Sequence, residues 1–132
     1  MTHASLKKYK QTAVSSAKEA SPYQLVAMLF QELLGNIAGA KGDIEQGNTA
    51  RKGERISKAI TIISVLESSI DFEQGGEVSK NLSDLYTYCS EKLLEANVNN
   101  NAELLDEVIK ILLPIKSGWD AIPSEEQDSV SF

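Results

Sequence analysis

Apolar residues recur every three or four positions from Leu25 to Ile115, and three turn signals cut that run into four pieces. Such spacing places side chains on one face of an α-helix, whereas a strand needs strict alternation, and no alternating stretch of strand length is present. The first piece opens at Ser21-Pro22-Tyr23-Gln24, which joins an N-cap serine, a proline at the first helical position and a glutamine three residues after the cap. Its apolar side runs through Leu25, Val26, Leu29, Phe30, Leu33, Ile37, Ala40 and Ile44, and Gln46-Gly47-Asn48 stops it. The second is expected from Thr49 to Ile70, facing inward with Ile56, Ala59, Ile60, Ile63, Leu66 and Ile70.

Gly75-Gly76 predicts the next turn, after which Val78, Leu82, Leu85, Cys89, Leu93 and Ala96 form a stripe flanked by Tyr86 and Tyr88. The asparagine-rich run Asn97–Asn101 caps a fourth helix from Ala102 to about Ser117, with the stripe Leu104, Val108, Ile111 and Ile115. Pro114 removes a backbone donor and is expected to kink or end that helix. Short connections between four amphipathic helices predict an all-α, antiparallel four-helix bundle over residues 21–119. A polar N-terminal arm, 1–20, precedes it as a flexible or short-helical segment, and an acidic tail, 120–132, is expected to fray.

A chain of 132 residues suits one domain with its own core. With 13 Lys+Arg against 19 Asp+Glu the net charge is −6, which disfavours nucleic acid and anionic membrane as partners. The cluster Lys7, Lys8 and Lys10 is short enough for a solvated terminus. No apolar stretch approaches the ~20 residues of a membrane span, no signal-peptide core is present, and the single Cys89 excludes an intrachain disulfide. A cytoplasmic, non-inserted protein is expected.

Bundles often carry chemistry, but a di-iron site needs Glu-x-x-His pairs and phosphotransfer needs a helical histidine. The sole histidine is His3, in the arm. No phosphate loop is present, and the pair Glu103 and Glu107 reads as a solvated face. The expectation is therefore no catalytic residue, no metal, no cofactor and no enzymatic activity.

Large apolar residues away from the inward stripes suggest a second surface: Ile62 and Val65, the row Leu105, Ile109 and Leu112, then Met28, Leu34 and Leu94. Except for Leu34, these are the candidates for a partner-binding groove, through which a helical segment would lay down its apolar face. A bundle that only pairs with itself as a homodimer is the alternative reading.

Tyr9, Ala20-Ser21-Pro22-Tyr23-Gln24-Leu25-Val26, Met28, Leu29, Gly75-Gly76-Glu77-Val78, Asn81-Leu82, Leu85-Tyr86, Leu93, Ala96-Asn97 and Trp119 follow one another in an ordered set that spans nearly the whole chain. By that set the chain resembles the FliS family of flagellin export chaperones. Phe30-Gln31-Glu32 departs from the family's usual tyrosine and nearby glycine. The resemblance implies binding of the disordered C-terminal segment of flagellin, prevention of its premature polymerisation, and delivery to the gate of the flagellar type III export apparatus. It also implies that the arm, through Leu6, Tyr9 and Val14, covers a groove until the client displaces it.

Overall fold

A computed structural model describes residues 20–129, and Leu6, Tyr9 and Val14, expected to cover a groove, lie outside them. Four α-helices make up the described bundle: α1 (Pro22–Gln46), α2 (Thr49–Ser68), α3 (Phe72–Asn99) and α4 (Ala102–Asp120). Each packs against two neighbours in the ring α1, α2, α3, α4, with α1 and α2 sharing the most extensive face. Cross-helix partners show that the neighbours run antiparallel. Asp43 and Glu32 of α1 meet Arg55 and Lys58 of α2, both at 2.9 Å. Lys41 near the end of α1 meets Asp106 near the start of α4 at 3.0 Å.

Local chemistry sets the helix ends. Ser21 forms the full capping box with Gln24, and left-handed Gly47 closes α1. Asn48, Asp71 and Asn101 accept from backbone N–H groups at the starts of α2, α3 and α4. The expected glycine turn is displaced: α2 and α3 are joined around Ser69–Asp71, and Gly76 makes a kink inside α3. Its φ of 53° and ψ of −122° suit glycine alone. Pro114 neither ends nor interrupts α4. It and Lys110, whose carbonyl it leaves without a helical donor, are both exposed, so water can satisfy that carbonyl. The segment beyond α4, expected to fray, forms a 3-10 helix over Ser124–Ser129 that contacts α1.

Two polar clamps tie α2 into the bundle. The buried Lys52 ammonium donates to the Asn97 carbonyl at 2.8 Å and to Asn100 Oδ1, placing a cation at the negative end of α3. The Arg55 guanidinium lies across Gly39, where a Cβ would fall 2.2 Å from Nη1. That contact lets α1 and α2 approach closely.

The apolar rows expected for α1 and α2 are buried, with Ile44 and Ile60 at the margin. Those expected for α3 and α4 are buried only in part, at Cys89, Leu93, Ala96 and Val108. On α3 the interior row is Ser79, Tyr86, Cys89, Leu93 and Ala96, while Val78 and Leu85 are 74% and 40% exposed. On α4 it is Leu105, Val108, Leu112 and Trp119, with Leu104, Ile111 and Ile115 half-buried. α4 is thus rolled about its axis relative to the expected face, and α3 departs from its expected face only before Cys89.

Burial pushes the Cys89 thiol up to about 11, with Glu107 adding to the shift. A thiol whose folded pKa exceeds its unfolded value stabilises the fold below the unfolded pKa and loses that contribution as pH rises through the folded one. Stability should therefore fall from pH 9 toward 11, and iodoacetamide at pH 8 should label Cys89 only in denaturant; rapid labelling of the folded chain would contradict its burial. The Tyr86 hydroxyl is buried without a hydrogen-bond partner. Tyr86→Phe should raise stability by up to about 1 kcal/mol, read as the urea midpoint, because it removes an unsatisfied polar group; a loss would mean that the hydroxyl is satisfied.

Candidate functional site

The residues expected on a spare surface separate into three locations. Ile62 is 3% exposed, and Leu105 and Leu112 are fully buried, so all three belong to the core and present no groove. The reason is geometric. A helix wedged between two neighbours buries a wide arc, and α4 carries two adjacent apolar rows of which only the neighbours select one. Met28 and Val65 are half-buried against the core, on the faces of α1 and α2 that meet each other. Ile109 and Leu34 are half-buried likewise, on the α1 and α4 faces marked by Lys41 and Asp106. They seal seams.

Leu94 is the exception, 58% exposed on α3. With Val98, 76% exposed, it lines a shallow depression bordered by Glu91, Glu95 and Asn99. This patch is small and lies away from the face of α3 that meets α4.

A second apolar surface runs along the seam between α3 and α4. Tyr88 of α3 donates its hydroxyl to Glu107 Oε1 of α4, which sets the relative level of the antiparallel pair. At about 100° per residue, Val78, Leu82 and Leu85 fall on the flank of α3 turned toward α4. Leu104, Ile111 and Ile115 fall on the flank of α4 turned back, with Leu85 near the level of Ile111 and Leu82 near Ile115. The opposite flank of α3 is occupied by Ser83 and Thr87, whose hydroxyls donate to Glu67 of α2 at 3.2 Å. From Val78 to Tyr88 the seam extends ~15 Å at 1.5 Å rise per residue. Phe72, 51% exposed, lies beyond the kink at its lower end. The residues read from sequence as core stripes are thus the ones that reach solvent here. Tyr86 beside them could have revealed the roll, since burying its ring turns Leu85 outward.

Among the described residues no group of three or more His, Cys, Asp or Glu could hold a metal ion, and no helix is long and apolar enough to cross a membrane.

A bundle with an apolar seam is common to many proteins, so the comparison with known chains decides the family. The profile described as Flagellar protein FliS matches residues 2–126. The chain belongs to the FliS family. It is 41% identical to the flagellar secretion chaperone FliS of Vibrio cholerae over 122 residues, covering 92% of this chain and 90% of that protein. It is 42% identical to FliSB of Pseudomonas aeruginosa over 89% of this chain and 94% of that one. The FliS of Salmonella typhimurium is also 42% identical, over 92% and 91% of the two chains. Membership supports a chaperone role in flagellar export.

The rolled faces give a stability contrast. Leu112→Ala should cost about 2–5 kcal/mol, as a truncation inside a packed core. Leu85→Ala, at a 40% exposed position, should cost under about 1 kcal/mol. Urea midpoints of the two variants measure this directly; equal losses would place Leu85 in the core as well.

Proposed function

We propose that this FliS-family protein is a noncatalytic chaperone that binds the disordered C-terminal segment of flagellin in the cytoplasm, keeps it from polymerising, and presents it to the flagellar export gate. The observation that carries this reading is the α3–α4 seam, where Val78 and Leu85 stay exposed beside Leu82, Ile111 and Ile115 in a chain with an otherwise filled core. A segment that is helical inside a filament has an apolar face to cover before assembly, and a seam between two parallel ridges is the shape that covers it. Ordering the client costs conformational entropy, so its affinity must come from wrapping a large area, of which this seam is one part. The arm residues Leu6, Tyr9 and Val14 are proposed to occupy the same seam until the client arrives.

Titrating the full chain with a flagellin C-terminal peptide tests the reading. Heat release and a gain of helix over the sum of the parts are expected. Val78→Asp and Leu85→Asp should each weaken binding at least tenfold while leaving the melting midpoint nearly unchanged. No heat and no helix gained would sink the chaperone reading for this client.

A further inference from the structure

The α3–α4 seam changes character at Tyr88. Toward the Gly76 kink its flanks carry Val78, Leu82, Leu85, Ile111 and Ile115. Beyond Tyr88, α3 contributes Lys92 and Glu95 to that flank, and only Leu104 of α4 continues the apolar row. Tyr88 itself, 38% exposed, reaches over the boundary with its hydroxyl donated to the Glu107 carboxylate. On its other side the Lys92 ammonium lies 5.3 Å from the ring centroid and pairs with Glu95 at 3.3 Å. The ring is therefore held between a hydrogen bond to one helix and a cation on the other. The bond to Glu107 also raises the phenol's pKa above its ordinary value.

We infer that Tyr88, clasped to Glu107, is the stop that sets where a docked helical segment ends, and hence the register in which it lies. This inference rests on the client reading above. A helix laid along the seam from the Gly76 end finds apolar partners for ~15 Å, close to three turns. To continue, it would have to displace the Tyr88 bridge and set apolar side chains against the Lys92–Glu95 pair, desolvating charges without satisfying them. Ending at Tyr88 avoids both costs. The remainder of a longer client must then leave the seam and turn to another face. Tyr88 acts as a positioning residue: it selects which turn of the segment sits over Leu85 and Ile111.

Hydroxyl-radical footprinting of the full chain with and without a flagellin C-terminal peptide reads the boundary. In the wild type, Val78 and Leu85 should lose reactivity on binding while Leu104 keeps its own. In Tyr88→Ala, and more weakly in Glu107→Ala, Leu104 should also become protected. A surface residue's structural loss would lower the melting midpoint without moving that boundary. Protection of Leu104 in the wild-type complex, or an identical footprint in both variants, overturns the stop while leaving the client reading intact. Unchanged reactivity of Val78 and Leu85 overturns the client reading, and the stop with it.

Discussion

The contact on which the bundle's arrangement depends joins the first turn of α1 to the last turn of α4. The Trp119 indole N–H donates to the Tyr23 carbonyl at 3.0 Å, and the two rings stack with centroids 5.6 Å apart. The Tyr23 hydroxyl in turn donates to the Asp120 carbonyl at 3.3 Å. Three short connections can align four helices in sequence, but they cannot close α4 onto α1. Trp119 does so from within the buried row of α4, and anchoring it inward carries Leu112, Val108 and Leu105 inward with it. The neighbouring row, Ile111 and Ile115, is left to the side of α3.

The other seams are finished differently. Ion pairs cross between α1 and α2 and between α1 and α4, while the α2–α3 seam is bound by the buried Lys52 and by Glu67 with its two hydroxyl donors. Between α3 and α4 the Tyr88–Glu107 bond crosses, and below it the flanks are apolar. A seam of that composition has more to gain from covering than from water, because it holds half-buried aliphatic side chains with further apolar area still exposed. The fold supplies the rigid ridges. The sequence of those ridges supplies the chemistry that fits a FliS-family chaperone.

Much of the architecture was legible before any coordinates. The Ser21–Gln24 box, the stop at Gln46-Gly47-Asn48 and the asparagine cap of α4 are local hydrogen-bonding patterns that need no tertiary neighbour. Cys89 and the rows of α1 were recognisable for a similar reason, since each helix face had one dominant apolar stripe. The Gly76 kink was read as the inter-helix turn because a glycine pair marks a break in the chain's direction without stating its size. α4 carries two adjacent apolar rows, and counting at helical spacing cannot choose between them. Its interior face takes Val108 from one and Leu105 with Leu112 from the other, which leaves no groove at Leu105 and Leu112.

The sequence by itself determined four helices, their order, the start of α1 and of α4, and their family, because caps, turns and periodicity act over a few neighbouring residues. Only the tertiary structure decided which apolar row faces inward. That choice depends on rotation of each helix about its own axis, and rotation is settled by distant partners: Tyr86 buried midway along α3, Trp119 locked to Tyr23 at the end of α4. The surface left for a partner is what remains after those long-range contacts are satisfied, and it therefore lies on α3 and α4 where sequence spacing had placed the core.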